Sequence, residues 1–225
     1  YSMGGIFVNH ITGRTTVPNL FAIGEVTSGV HGSNRLGGNS LAEIIVFGKL
    51  NSLSVMKELK KINFIPLNYN LINDKVKKFM GKLNNHGENP ILIMKKIQNI
   101  MWKDVGVIRN NEYMKKALKE IKKFSKIKLK TGINLKNNQN LIAALNIQNM
   151  LHCCEMIIRS ALYRKESRGA HYSEDYPKSL NNWEKNVIII PGKKFKIFTK
   201  KIPKIPKDIK KYLNKKTKTE AHLLE

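Results

Sequence analysis

The spacing of hydrophobic residues predicts three amphipathic helices between residues 90 and 163. Apolar side chains recur there every three or four positions, which places them on one face of a helix. The predicted helices begin at Pro90, run from Asn111 to about Phe124, and run from about Asn138 to Tyr163. Because the connections between them are short, the pattern predicts a small antiparallel bundle.

Shorter apolar runs on either side of this bundle predict β-structure. Residues 5–8 and 20–23 are β-prone and flank a glycine-containing turn, so we expect two returning strands there. Residues 187–190 and 195–198 flank a Pro-Gly pair and predict a β-hairpin.

A glycine-rich loop is the most informative segment of the chain. Residues 24–41 hold five glycines, one acid and one arginine, and they lead into an apolar helix predicted from Ser40 to about Met56. Glycines allow the backbone to approach a flat ligand closely, and a helix N-terminus presents free N–H groups with a partial positive charge. The loop is therefore predicted to hold an anionic ring together with an anionic substrate.

Five segments of the chain carry recognisable motifs. They are Tyr-Ser-Met-Gly-Gly-Ile at 1–6, Asn-Leu-Phe-Ala-Ile-Gly-Glu at 19–25, His-Gly-Ser-Asn-Arg-Leu-Gly-Gly-Asn-Ser-Leu at 31–41, Met-Trp-Lys-Asp-Val-Gly-Val at 101–107 and Arg-Lys-Glu-Ser-Arg-Gly-Ala-His-Tyr at 164–172. These segments resemble those of one protein family, the succinate dehydrogenase, fumarate reductase and L-aspartate oxidase flavoproteins. The resemblance extends from Tyr1 to about Trp183 in the order that the family shows.

The resemblance implies the fold class and a division of the chain. We expect the remnant of an α/β FAD-binding domain, followed by an α-helical bundle of three helices and a terminal β-hairpin. The expected units are the end of the FAD-binding domain with the flavin and dicarboxylate loop at 1–56, a connecting segment at 57–89, the helical domain at 90–183, the hairpin and its extension at 184–213, and a flexible tail at 214–225.

Two features of the family are not found in this sequence. The Rossmann-type glycine fingerprint that holds the ADP half of FAD does not occur, and the family's histidine would precede Tyr1. We therefore interpret the chain as the carboxy-terminal portion of a larger flavoenzyme whose remaining FAD-binding part lies upstream. The acid–base arginine of the family is expected there as well, so no catalytic residue is assigned in this chain.

The resemblance assigns Arg35, Gly38 and His31 to the substrate. A guanidinium can hold one carboxylate of a four-carbon diacid in a bidentate fork. The alternative for Arg35 is a structural salt bridge. Gly38 is expected beside the substrate, where a larger side chain would block the ring, while His31 is expected to touch either substrate or flavin.

The resemblance assigns Glu25, Asn39, Ser40 and Leu41 to the cofactor, FAD. Glu25 would accept hydrogen bonds from the ribityl hydroxyls; its alternative is a surface acid. The backbone N–H groups of the other three would face the N1–C2=O edge of the flavin, where negative charge collects on reduction. Helix initiation alone explains Asn39 and Ser40 equally well.

A second polar cluster follows the last predicted helix and contains Glu166, Arg168, His171 and Tyr172. Such a group could transfer protons. The resemblance favours a structural role, in which the cluster fastens the helical bundle to the catalytic domains.

The chain is strongly basic, with 41 Lys and Arg against 16 Asp and Glu and a formal net charge of +25. Such a charge raises the hypothesis of nucleic-acid binding. However, the lysines are spread along the helices and the tail, and no aromatic stacking surface accompanies them. We interpret the charge as a solvated face and do not expect a nucleic-acid partner.

The cysteines and the hydrophobic runs bear on the compartment. Cys153 and Cys154 are adjacent in a predicted helix, where their side chains diverge, so reduced thiols and an intracellular protein are expected. No metal site and no membrane span are predicted. The expected location is cytoplasmic, with membrane association through partner subunits as the alternative.

The resemblance implies an FAD-dependent oxidoreductase that interconverts succinate and fumarate by hydride transfer at flavin N5. The alternative within the family is an L-aspartate oxidase of NAD biosynthesis. The alternative from another class is a non-catalytic helical domain on which an iron–sulfur subunit docks.

Overall fold

The computed structural model describes residues 1–63, 66–192, 194–207 and 210, and five α-helices lie in these ranges. They are α1 (Asn39–Leu59), α2 (Tyr69–Met80), α3 (Pro90–Val105), α4 (Asn111–Phe124) and α5 (Gln139–Tyr163). The tail predicted at 214–225 lies outside the described residues.

Asparagine side chains start four of these helices. Asn68, Asn89, Asn110 and Asn138 precede α2, α3, α4 and α5, and each side chain accepts a hydrogen bond from a backbone N–H of the first turn. Such caps satisfy donors that have no partner inside the helix. Helix α1 differs, because the residue before it is Gly38 and no side chain caps its N-terminus.

Helices α3, α4 and α5 pack against one another and confirm the predicted three-helix bundle. Its buried core takes aliphatic side chains from all three helices, and the members with no more than 2% exposure are Ile93, Ile97, Met114, Ala117, Ile121, Ile147 and Ile158. Burying an aliphatic side chain of this size contributes about 1.5–3 kcal/mol relative to leaving it exposed, so this core stabilises the bundle.

Helix α5 is long and apolar enough to cross a membrane, judged by length and composition only. Seven of its residues are buried in the protein, including Ile147 and Ile158 between α3 and α4. Core packing therefore accounts for part of the apolar surface of α5, while Ile142, Leu145 and Ile157 are exposed.

Two small sheets complete the described structure. Strand β1 (Ile108–Arg109) lies parallel to β2 (Tyr172–Ser173). Strands β3 (Lys185–Ile190) and β4 (Lys196–Lys201) pair antiparallel from Lys185 opposite Lys201 to Ile190 opposite Lys196, which confirms the predicted hairpin.

The strands predicted near the start of the chain are wrong. Residues 5–8 and 20–23 each form one isolated bridge, Ile6 with Thr27 and Phe21 with Arg14. A strand needs a hydrogen-bonded neighbour along its length, and the described residues supply one for a single pair in each run.

The segment predicted as a polar connection contains helix α2. Asn68 caps its start, and Gly81 follows its last residue. None of the residues of α2 is buried in the described structure. The domain limits at 57–89 stay a prediction.

A loop that follows the bundle contacts the glycine-rich loop directly. The N–H of Ala170 donates to the carbonyl oxygen of Ser33 at 3.0 Å. A Cβ added at Gly169 would lie 2.6 Å from the carbonyl carbon of Ser33, so only glycine permits this approach. The helical part of the chain thereby supports the segment that carries Arg35.

Candidate functional site

The start of α1 is an open, uncapped helix N-terminus. Gly38 precedes the helix with φ of 77°, a conformation that strongly favours glycine. A Cβ added at Gly38 would have no atom within 4 Å, so the space in front of this residue is free in the described structure. This space fits the predicted position of Gly38 beside a ligand.

Asn39, Ser40 and Leu41, whose backbone N–H groups were assigned to the cofactor, differ in whether those groups are free. The N–H groups of Asn39 and Leu41 donate to the carbonyl oxygens of Leu36 and Gly38, each at 3.2 Å. The N–H of Ser40 has no such acceptor among the described residues. Ser40 is therefore the residue of the three that offers a free donor at the positive end of the helix.

Arg35 is half-buried and carries no structural salt bridge in the described part of the chain. Its Nη1 donates to the carbonyl oxygen of Leu36 at 3.3 Å, and its buried Nε has no hydrogen-bond partner among the same residues. The guanidinium carbon lies 4.8 Å from the centroid of the Tyr1 ring, which is a cation–π distance. Its Nη2 donates to no acceptor among the described residues, which leaves this end of the guanidinium available to an anion.

Glu43 is a site residue that the sequence analysis missed. Its side chain is 3% exposed, and one of its oxygens, Oε2, is 2.7 Å from both the Tyr1 hydroxyl and Nε2 of His31. This hydrogen bond to the carboxylate raises the pKa of Tyr1 to about 12. An isolated acid within the apolar run from Leu41 to Phe47 was the available signal, because a buried carboxylate requires partners.

His31 is held by Glu43 and packs against Tyr1. The two rings meet edge to face, with centroids 5.2 Å apart, and the His31 side chain is 10% exposed. The predicted contact of His31 with substrate or flavin stays a prediction. In this structure its Nε2 is directed to Glu43 and not to open space.

Glu25 lies in a single 3-10 turn, Gly24–Val26, and is exposed. One of its carboxylate oxygens, Oε1, accepts a hydrogen bond from the backbone N–H of Ser2 at 2.8 Å. Its other oxygen, Oε2, accepts no hydrogen bond from the described residues, so the side chain is available to a hydroxyl donor.

The second polar cluster forms a network around Glu166, whose side chain is fully buried. Arg164 and Arg168 both donate to its carboxylate, at 2.5 and 2.9 Å, and the N–H of Leu180 donates at 2.8 Å. Arg164 also donates to the carbonyl oxygens of Trp183 and Lys185. These hydrogen bonds join the end of α5 to the segment from Leu180 to Lys185, which supports the structural role over proton transfer.

His171, in the same cluster, is held as a neutral acceptor. Its Nδ1 lies 2.7 Å from Nη1 of Arg109, an obligatory donor, so Nδ1 carries no proton. Burial lowers the pKa of His171 to about 4, with contributions from the charges of Arg109 and Arg164 against that of Glu166.

We expect the stability of the protein to fall as the pH is lowered from about 6.5 towards 4, since His171 gains a proton in the unfolded state first. Replacement by glutamine, His171→Gln, should remove roughly 1 kcal/mol of this pH dependence, a value reduced for partial solvent exposure. Urea denaturation at pH 7.5 and pH 5 measures it, with the exposed His86→Gln as control. Equal pH dependence in wild type and His171→Gln would contradict the assignment.

The described residues contain no disulfide bond and no candidate metal site. Cys153 is exposed and Cys154 is buried, and burial raises the pKa of the Cys154 thiol to about 11. No group of three or more His, Cys, Asp or Glu side chains that could hold a metal ion occurs in the part of the chain that the structure describes.

Two family models match the chain. One, described as the carboxy-terminal part of the fumarate reductase flavoprotein, matches residues 94–215. The other, described as an FAD binding domain, matches residues 1–41. Together they include the glycine-rich loop and the helical bundle.

Curated relatives come from archaea and bacteria. An uncharacterised FAD-dependent oxidoreductase of Methanocaldococcus jannaschii is 38% identical over 85% of this chain and 35% of its own length. One subunit of the CoM/CoB fumarate reductase of Methanothermobacter marburgensis is 35% identical over 83% of this chain and 34% of its own length. The L-aspartate oxidase of Yersinia pestis is 30% identical over 84% of this chain and 34% of its own length.

A solved structure has a similar fold over most of this chain. Mycobacterium smegmatis Sdh1, in complex with UQ1, superposes with a TM-score of 0.83 at 28% identity. The match covers 95% of this chain and 38% of that one. The chain thus spans about a third of the length of the curated relatives that it matches.

Proposed function

The chain belongs to the family of FAD-dependent flavoproteins that includes fumarate reductase, succinate dehydrogenase and L-aspartate oxidase, and we propose that it supplies the dicarboxylate clamp of an enzyme that interconverts succinate and fumarate. The observation that carries this proposal is Arg35. It is a half-buried arginine without a carboxylate partner among the described residues, next to free space at Gly38. A dianionic substrate would satisfy it.

The residues at the start of α1 fit a flavin. The uncapped helix N-terminus, the free N–H of Ser40 and the open space at Gly38 suit a flat ring that becomes anionic when it is reduced. FAD, when bound, supplies the redox chemistry, accepting or giving a hydride at N5. The chain's own part is to place a donor, Ser40 N–H, at the pyrimidine edge of the ring.

Arg35 has two tasks in this proposal. It binds one carboxylate through paired N–H groups, and it orients the carbon chain of the substrate against the ring face that Gly38 leaves open. Proton transfer at the neighbouring carbon is assigned to an arginine in the part of the enzyme that this chain does not include. No residue of the chain is therefore proposed as the acid or base.

Helix α1 offers a surface for that remaining part. Only Glu43 and Asn51 of its residues are buried, while large apolar side chains are exposed all along it: Leu41, Ile44, Ile45, Val46, Leu50, Leu53, Met56 and Leu59. So much exposed apolar surface on one helix marks a contact. We assign it to the rest of the FAD-binding domain, because the relatives are about three times as long as this chain.

An iron–sulfur subunit is the proposed electron partner. The relative from Methanothermobacter marburgensis is named as one subunit of its reductase, which is consistent with an assembly of several chains. We propose a cytoplasmic flavoprotein that reaches a membrane only through such partners. Co-purification with a cysteine-rich, iron-containing chain would support this; isolation of an active enzyme without one would contradict it.

L-aspartate oxidase is the second candidate, favoured by the relatives of that name at about the same coverage as the fumarate reductase relative. Assays of the full-length enzyme with succinate, fumarate and L-aspartate separate the two. We expect turnover of succinate or fumarate and little with L-aspartate. Turnover of L-aspartate alone would select the second candidate, and an FAD-loaded enzyme that turns over none of the three would overturn both.

A further inference from the structure

We infer that Glu43 is a positioning residue for the substrate arginine and acts on Arg35 through Tyr1 and His31. This inference rests on the proposed role of Arg35 in dicarboxylate binding. Glu43 itself is buried, and among the described residues it makes no hydrogen bond or ion pair with Arg35 and does not lie within 4 Å of a Cβ added at Gly38.

The first step is the convergence of two donors on one buried oxygen. The Tyr1 hydroxyl and Nε2 of His31 each lie 2.7 Å from Oε2 of Glu43. A carboxylate oxygen accepts, so the Tyr1 hydroxyl donates to it, as does His31 in the tautomer that carries its proton on Nε2. The same hydroxyl lies 3.0 Å from Nε2 of His31, so the three groups form one cluster. Charge-assisted bonds of this kind fix both side chains in one geometry.

The second step leads from Tyr1 to Arg35. The guanidinium carbon is 4.8 Å from the centroid of the Tyr1 ring, whereas the rest of Arg35 makes one hydrogen bond, to the adjacent Leu36 carbonyl. The guanidinium of Arg35 is thus positioned mainly by its cation–π contact with the Tyr1 ring. Two contacts orient this ring. Its hydroxyl donates to Glu43, and the His31 ring packs against it with an angle of 78° between the two ring planes.

The third step concerns what happens when the carboxylate is lost. Among the described residues, the Tyr1 ring is oriented by the hydrogen bond of its hydroxyl to Glu43 and by His31, which Glu43 also holds. Losing the carboxylate releases both. The ring then samples several rotamers, and Arg35 loses the surface that fixes its fork. The expected consequence is weaker substrate binding with the chemical step intact, because Glu43 does not contact the reacting atoms.

The test uses the full-length enzyme with the variants Glu43→Gln and Tyr1→Phe. Both should raise KM for the dicarboxylate about threefold to thirtyfold, the range of one cation–π contact, with kcat within about twofold of wild type. The matched control is Glu58→Gln, at the far end of α1, where the carboxylate pairs with Arg14 and Lys61. It should leave KM unchanged.

A double-variant cycle separates positioning from a general effect on folding. If Glu43 acts through Arg35, adding Glu43→Gln to Arg35→Lys should change KM by less than about twofold, because the shared interaction is already gone. A full additive loss in that background would overturn the inference. An unchanged KM in Tyr1→Phe would also overturn the inference. This variant keeps the buried carboxylate of Glu43, so it tests the inference even if Glu43→Gln does not fold.

The outcomes also separate this inference from the function on which it rests. If Arg35→Lys raises KM while Glu43→Gln and Tyr1→Phe do not, Arg35 keeps its role and the positioning inference fails. If Arg35→Lys itself leaves KM unchanged, the proposed function fails first.

Discussion

Replacing Arg35 by lysine in the full-length enzyme should lower kcat/KM for the dicarboxylate about 30- to 1000-fold while FAD stays bound, the loss of one charge-assisted fork being worth about 2–4 kcal/mol. Lysine keeps the charge but offers a single ammonium in place of two parallel N–H groups. It also loses the planar stacking of the guanidinium on Tyr1. Steady-state kinetics together with the flavin absorbance of the purified variant measure both effects.

Arg14→Lys is the matched control for this substitution. Arg14 lies in the same amino-terminal segment, but its side chain is 50% exposed and pairs with Glu58 at 3.1 Å. An exposed pair contributes at most about 1 kcal/mol, so kcat/KM should stay near the wild-type value. Near-normal kinetics in Arg35→Lys, or an equal loss in both variants, would remove Arg35 from the substrate site.

The parts of the fold that follow from local spacing were predictable. Ile93, Ile97 and their counterparts in α4 and α5 recur at helical intervals, and Pro90 marks a helix start, so the bundle followed from the sequence. The hairpin followed from two apolar runs around a Pro-Gly pair. The strands at 5–8 and 20–23 failed, because strand formation depends on a neighbour that local sequence does not specify.

The site was predictable only in part, for the same reason. The family motif singled out Arg35 and Gly38, whose position before an uncapped helix fits a ligand site. Glu43 was not found, because its role depends on Tyr1, 42 positions earlier. The contact of Ala170 with Ser33 likewise joins distant segments, and no spacing rule indicates it.

The hydrogen bond from Ala170 to Ser33 connects the network around Glu166 to the candidate site. The loop of Gly169 and Ala170 lies directly after Arg168, which Glu166 holds through two hydrogen bonds. The same loop donates to Ser33, two residues before Arg35. A buried carboxylate in the helical part of the chain therefore helps to fix the loop that is proposed to bind substrate.

Glu166→Gln should destabilise the protein by about 3 kcal/mol at neutral pH, because removing one member of a buried ion pair leaves uncompensated charge. Arg164 and Arg168 would lose their common partner, with side chains only 16% and 27% exposed. Urea denaturation followed by tryptophan fluorescence measures the change. The control is Glu184→Gln, whose carboxylate is 56% exposed and 3.9 Å from Arg168, and which should cost less than about 1 kcal/mol.

The pH dependence of this difference provides a second, independent check. Burial alone would raise the pKa of Glu166, but the hydrogen bonds from Arg168, Leu180 and Arg164 and the charge of Arg168 outweigh it and lower the pKa below its ordinary value. The stabilisation is therefore complete above the unfolded-state value of about 4.3 and is lost as the pH falls through the lower folded-state value. Wild type and Glu166→Gln should differ equally at pH 7 and pH 6 and converge only in acid below about pH 4. A difference that disappears already between pH 7 and pH 6 would mean that a group other than this carboxylate holds the two arginines.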